Sequence, residues 1–405
     1  MSRRSRASSA NVVELETLDE TVPVTQLEEE EPEVRVESDD AAVAPPDTRN
    51  LVYVGFWLLG AAYLAPRNSV LSVTTYWDVR IAPGAIFTFT IAYMSMNLLG
   101  LFVLLWMGDR VSFFVRIVPG LVLFAVVLLV LLFVGDVVLA NICMALLGLA
   151  DAIVQGSVWS LAGQYNERIT GAVMSGNGLA GILISAIQLI IFFAIPADVS
   201  GFERDAVMIK FFFAASILVI IASALFFQFV LMRSPLTQFY LARARAPRAP
   251  LSDGTEQQQE KLSVWRVTRA VLPQGANAFL VFFVTLTLYP AIASLIQPVQ
   301  YDFALVPFFV VIVSLFNLGD FVGRSLPRWL SFMPPRWLVL PVLARLVFVP
   351  VFIFCVEPHL IASDAATYSI VILFALTNGY LGTLAMQFGP KWCNLRIARG
   401  PAPSW

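Results

Sequence analysis

Apolar residues along this chain come in long blocks separated by short polar connections. Ten blocks have the length of a helical span: about 51–76, 84–107, 113–134, 137–160, 171–195, 209–232, 268–290, 303–324, 336–356 and 367–389. A helix needs ~20 such residues to cross the hydrocarbon of a bilayer. Inside lipid every backbone polar group must find its partner within the protein, so only helices and closed barrels can span. The blocks lack the period-2 alternation of barrel strands. The pattern therefore predicts an all-α, polytopic transmembrane helical bundle. Composition agrees: the chain is 58% hydrophobic and 13% charged, the latter about half the charge of a soluble domain.

The polar connections organise the blocks. Residues 1–50 carry an acidic run from Glu28 to Glu31, Asp39-Asp40 and Pro45-Pro46, with no apolar h-region. They read as a disordered tail and not as a signal peptide. A longer polar stretch, 233–266, divides the blocks into a six-span bundle (51–232) and a four-span bundle (267–390). Within it Gln257–Arg269 is expected to form a short amphipathic helix at the membrane surface. Gly389-Pro390 is expected to end the last helix, leaving 391–405 as a polar tail. Most of the 26 basic residues fall on one side of the resulting topology, and the opposite connections hold only Arg80, Arg204 and Lys210. The positive-inside rule then places the N-terminus, the 233–266 loop and the C-terminus in the cytoplasm. The plasma membrane is the expected location.

Candidate chemistry narrows the function. Cys143, Cys355, Cys393 and the lone His359 have no metal-ligand spacing. No P-loop, HExxH, G-x-S-x-G or kinase signature is present, so the expectation is no enzyme, no cofactor and no metal. The expected partners are the lipid bilayer and a small polar solute, with no nucleic acid.

Polar residues inside spans carry the rest. In FNLGDFVGRSL, helical spacing places Asn317, Asp320 and Arg324 on one face. Charge there is costly in hydrocarbon, so the face should look into protein or a watery path. Asp320 and Arg324, four apart, can pair along their own helix. Gly319 and Gly323 form a smooth neighbouring line for close helix packing. The first span is broken by Pro66, Arg67 and Asn68, a cavity wall or a cation reaching for the interface. In the fourth span Asp151, Gln155 and Trp159 share a face, beside the small line Ala152, Gly156 and Ser160. That stripe suits a polar ring-containing ligand, or ties helices together. MSGNGLAG in the fifth span reads as packing. Asn378 and Tyr380 supply polar groups in the tenth span, and Arg345 in the ninth requires an acidic or carbonyl partner.

These stretches together resemble the equilibrative nucleoside transporter family. FNLGDFVGRSL resembles its eighth-helix motif, VQGSVWSLAG the fourth-helix Q-G-S-x-x-G-L-A-G pattern, and MSGNGLAG the fifth-helix S-G-x-G-x-A-G. LARLVFVPVFIFC, TNGYLGTLAMQFGP and LAPRNSVLSVTTYW resemble the ninth, tenth and first helices, and the matches run in order over about residues 51–390. The resemblance implies a major-facilitator-like fold with six plus five helices, where this chain shows six plus four, and movement of nucleosides, some also nucleobases, by alternating access. It implies that Gln155 contacts the base, that Asp320 and Arg324 face the ribose or central path, and that Arg67 and Asn68 line the first-helix side. Trp159, Asn317 and Asn378 complete the expected substrate set. Family members usually carry Trp where this chain has Arg67; the cation could pair with Asp151 or change substrate preference.

Flux is expected to be facilitative, or proton-coupled through Asp151 and Asp320, although a carboxylate beside an arginine is more often structural. The alternative is a non-transporting membrane remnant, sensing a ligand or binding a partner, that has lost its last helix. A sugar or organic-anion transporter would have two similar six-helix halves, against which the six-plus-four division speaks.

Overall fold

The computed structural model describes residues 44–108, 110–196, 199–245, 264–300, 306–330, 333–356, 361 and 363–398. The acidic tail through Val43, positions 246–263 of the long loop, His359 and positions 399–405 lie outside the described residues. Among the described residues the secondary structure is helical, with no strand.

The N-terminal helices are α1 (Leu51–Leu71), α2 (Thr74–Arg80), α3 (Ala85–Met107), α4 (Phe113–Leu131), α5 (Val137–Ala162), α6 (Glu167–Ala194), α7 (Gly201–Phe226) and α8 (Pro235–Arg245). The C-terminal ones are α9 (Val264–Leu288), α10 (Phe308–Ser325), α11 (Val339–Ala344), α12 (Phe348–Val356) and α13 (Asp364–Ala398). Among the described residues nine helical segments are long and apolar enough to cross a membrane, with α11 and α12 counting as one. The expected first span stands apart from these nine: α1 has 21 residues, but Pro66, Arg67 and Asn68 dilute its apolar character.

Sequence explains several starts and stops. The Asp47 carboxylate accepts from the Val52 and Tyr53 N–H groups at 3.0 and 3.2 Å, satisfying two orphan donors at the start of α1. Asp136 does the same for Leu139 at the start of α5. The first helix ends at Leu71, short of the expected 76. Val73, Thr74 and Thr75 form a β-branched run there, and α2 folds back so that the Trp77 indole N–H donates to the Val70 carbonyl at 2.9 Å. The ninth span is not one regular helix. Pro341 and Pro350 each remove a backbone donor, and the 3₁₀ turn Arg345–Val347 joins α11 to α12. The last helix passes through Pro390 to Ala398 instead of stopping at Gly389-Pro390. The 233–266 stretch holds a helix at its start, α8, that the polar composition concealed.

A large core unites α1–α7 around buried Phe56, Trp77, Phe124, Phe212 and Phe213. Two smaller cores join α9–α13, one around Phe316, Phe352 and Phe374 and one around Leu338, Leu384 and Phe388. The outward faces are apolar too. On α3, Phe87, Ile91, Met94, Leu98 and Leu105 are exposed at helical spacing. Such a stripe has no solvent that suits it except hydrocarbon.

Between these cores α6 packs on α10, and α10 on α13. The Gly319/Gly323 line does what its spacing predicts. A Cβ at Gly323 would lie 2.3 Å from the Leu376 carbonyl oxygen, and one at Gly379 would lie 2.2 Å from that of Asp320. Backbones meet there, and no side chain fits.

Candidate functional site

Three polar features lie where these helices converge. The first is anchored on Asp320 in α10. Arg324 Nε donates to Asp320 Oδ2 at 2.6 Å, the pairing along one helix that four-residue spacing predicts. Asn378 Nδ2 on α13 donates to the other oxygen, Oδ1, at 2.7 Å. The Thr285 hydroxyl on α9 donates to the Asn378 side-chain Oδ1 at 2.6 Å. Arg345 Nη2 then donates to Thr285 Oγ1 at 2.8 Å, and Nη1 to the Phe374 carbonyl at 3.0 Å and to Thr377. The partner that Arg345 required is therefore a carbonyl and two hydroxyls. This chain of contacts joins α9, α10 and α13 to the α11–α12 span. Asn317 is not part of it. Its amide donates to Ser185 Oγ at 2.7 Å, tying α10 to α6.

The second feature centres on Asp151 in α5. The Tyr93 hydroxyl and the Asn97 amide, both from α3, donate to its Oδ2 at 2.6 and 3.0 Å. Among the described residues the opposite oxygen has no such donor. Arg67 is not in salt-bridge contact with Asp151; its guanidinium carbon lies 5.3 Å from the centroid of the Tyr93 ring. The link from cation to carboxylate thus runs through a phenol. A guanidinium stacks on such a ring while keeping its N–H groups free for other acceptors.

Between the two clusters sit groups that sequence reasoning did not assign. Tyr63 on α1 and Asn177 on α6 are buried, and among the described residues Asn177 Oδ1 accepts no hydrogen bond. The Tyr63 hydroxyl neighbours the Asn177 and Gln155 amides and lies within electrostatic reach of both Asp151 and Arg324. Gln155 is half-buried, as are Trp159, one turn further along α5, and Asn68 on α1. Native proteins rarely leave buried polar atoms unpaired without a reason. The only advance signal for Tyr63 was its place in line with Arg67, one turn away.

The third feature is a cleft of about 370 Å³ at one end of this region. Tyr53 of α1, Glu167 and Arg168 of α6, Arg324 at the end of α10, Arg328 and Trp329 beyond it, and Gln387 of α13 form its walls. Below it α6 and α10 touch: Ser175 and Ser325 hydroxyls lie 2.9 Å apart, and Arg324 Nη1 reaches Met174 Sδ at 3.8 Å. The other end of α10 is apolar, with Val306 and Val310 buried in the large N-terminal core. One end of the seam is thus open and charged, and the other is closed and greasy.

Residues 140–402 match the sequence model of the Nucleoside transporter family. The chain is 26% identical over 374 residues to "Equilibrative nucleotide transporter 1" of Arabidopsis thaliana, covering 87% of this chain and 81% of that protein. It is 27% identical over 263 residues to "Equilibrative nucleoside transporter 1" of Homo sapiens, covering 55% and 54%. Among solved structures it is similar to a bacterial homologue of the human lysosomal transporter Spinster in an inward-facing, unoccupied conformation. That likeness has a TM-score of 0.44 at 13% identity and covers 87% of this chain and 79% of the other. By the extent of the family match, this chain is a member of the nucleoside transporter family.

Proposed function

We propose that the protein moves nucleosides, and some nucleobases, across a membrane by alternating access, with α1–α7 and α9–α13 as the two moving bodies. The observation that carries this reading is the polar group formed by the buried Tyr63 hydroxyl and Asn177 side chain beside Gln155, between the two carboxylate clusters. They offer a hydroxyl, an acceptor oxygen and an amide, which together match the donor and acceptor edge of a base. Arg324 supplies the ribose side, with Asp320 and Asn378 holding its guanidinium in place. Trp159, Asn68 and Arg67 line the flanks, and Asn317 acts at the α6–α10 seam. The open cleft and the apolar closure at the opposite end are the two gates of such a cycle.

The mode is facilitative. Each Asp320 oxygen accepts from Arg324 or Asn378, so protonating this carboxylate would give up its pairing with the Arg324 charge. Asp151 is the one candidate for proton coupling. We place the N-terminus in the cytoplasm, following the distribution of basic residues, and propose the plasma membrane as the location.

In transport-deficient cells, radiolabelled adenosine and uridine uptake is expected to saturate and to be mutually competitive. Gln155→Ala and Tyr63→Phe are each expected to raise KM, because each removes a group offered to the base. Uptake by both variants with wild-type kinetics would remove the central site from the proposal. Alkalinisation of a weakly buffered external medium on nucleoside addition would overturn the facilitative mode.

A further inference from the structure

The cleft at the end of α10 has more charge than a passage for neutral nucleosides requires. Its walls carry Arg168, Arg324 and Arg328 against the single carboxylate of Glu167. Arg324 is neutralised by Asp320. Arg168 and Arg328 have no carboxylate within salt-bridge distance among the described residues. Both guanidiniums instead lie over one ring, that of Tyr53, at 5.4 and 4.7 Å from its centroid. Arg168 Nη2 also donates to Asn50 Oδ1 at 2.5 Å. Two like charges drawn to one phenol by cation–π attraction keep N–H groups for a further acceptor.

The volume, about 370 Å³, falls within the range of small-molecule sites, roughly 300–1,000 Å³. The walls come from α1, α6, α10 and α13 and from the turn that follows α10. Trp329 is exposed; the Arg328 guanidinium lies 5.6 Å from its ring centroid, which leaves the face away from Arg328 for a base. Arginine forks match phosphate oxygens, and an exposed indole matches a base.

We propose that this cleft binds a nucleoside phosphate, with the phosphate on Arg168 and Arg328 and the base on Trp329, and that occupancy slows nucleoside flux. Arg168 begins α6 and Arg328 follows α10, so one phosphate held by both pins together elements on opposite sides of the seam. A phosphorylated nucleoside is the class of product that phosphoryl transfer to a transported nucleoside would generate. The inhibitory half of the inference rests on the proposed transport function; the binding half does not.

The test uses the full chain in nanodiscs of neutral lipid and radiolabelled adenosine 5′-monophosphate. Saturable binding is expected, displaced by inorganic phosphate and only weakly by adenosine. The double variant Arg168→Gln/Arg328→Gln should weaken it by roughly tenfold or more, since both phosphate forks are lost. The adenosine uptake of that variant without monophosphate is the reference against which its response to monophosphate is read. In proteoliposomes the monophosphate on the cleft side should slow adenosine flux through the wild type and not through the double variant. Binding that survives the double substitution, or that adenosine displaces as well as the monophosphate does, would overturn the site. Loss of binding when anionic phospholipid is added to the discs would assign the arginines to lipid headgroups and overturn the nucleotide reading. Normal adenosine uptake with no monophosphate binding would sink this inference alone and leave the transport proposal standing.

Discussion

Asp151 and Asp320 are both carboxylates buried within spans, and their surroundings differ in kind. Asp320 has a formal counter-charge on its own helix and an amide on its second oxygen, and both belong to a relay that reaches Arg345. Asp151 has only neutral donors, Tyr93 and Asn97, and both reach the same oxygen. The nearest cation, Arg67, is stacked on the tyrosine ring. The comparison redistributes the roles that motif spacing suggested. The carboxylate in the more conspicuous motif is saturated by protein and acts as a bolt that positions Arg324. The quieter one retains an oxygen that protein does not use.

The largest expected effect separates them directly. Asp320→Ala leaves the Arg324 guanidinium uncompensated and the Asn378 amide without its acceptor. Breaking one side of a buried ion pair costs about 3–5 kcal/mol. Asp151→Ala removes two hydrogen bonds from neutral donors, each worth about 0.6 kcal/mol on average within a membrane bundle. Thermal unfolding of the detergent-solubilised protein should therefore show a much larger loss of stability for Asp320→Ala. Equal losses would mean that Asp151 is as much a structural bolt as Asp320, and the contrast would fail.

The next effect probes the helix approach that supports the Asp320 cluster. At Gly379 an added Cβ would sit 2.2 Å from the Asp320 carbonyl oxygen and 2.6 Å from the Arg324 nitrogen, both backbone atoms. Gly379→Ala must push α13 away from α10, and overpacking of this sort costs about 1–3 kcal/mol. Because Asn378 is adjacent, its hydrogen bond to Asp320 should loosen as well, so nucleoside uptake should fall along with stability. Gly275 on α9 has nothing within 4 Å of an added Cβ. Gly275→Ala should stay within about 0.5 kcal/mol of the wild type, as exposed substitutions usually do. A mild Gly379→Ala in the same melting assay would show that the α10–α13 contact yields more readily than its spacing implies.

How much of this was legible in sequence depends on whether the partners lie on one helix. The Asp320–Arg324 pair and the Gly319/Gly323 seam follow from spacing within a single span, and both are present as that spacing predicts. The all-helical, membrane-spanning character follows from block length alone. What the periodicity could not show is which distant residue completes a cluster. Tyr93 and Asn97 are 58 and 54 positions from Asp151, and Thr285 is 93 from Asn378. Nothing local in an apolar run marks a tyrosine or threonine as the partner of a remote carboxylate. Prolines act differently in the last two spans. Pro390 is tolerated inside α13, whereas Pro341 and Pro350 divide the ninth span with a 3₁₀ turn. A missing backbone donor can be absorbed in one helix and can reshape another, according to the neighbours that satisfy the freed carbonyl.

The smallest expected effect tests the Asp151 side of the comparison. Arg67 acts on that cluster through Tyr93, by a flat guanidinium over a flat ring. Arg67→Lys keeps the charge and loses the plane, so the contact weakens by about 0.5–1 kcal/mol and the phenol gains freedom to turn away from Asp151. Stability should drop only slightly. The sharper readout is the tyrosine. If Arg67 orients Tyr93, then Arg67→Lys and Tyr93→Phe should be non-additive in a double-mutant cycle, because either change alone already uncouples the cation from the carboxylate. Strict additivity would mean that Arg67 only fills space beside the ring, and that Asp151 is held by α3 without help from α1.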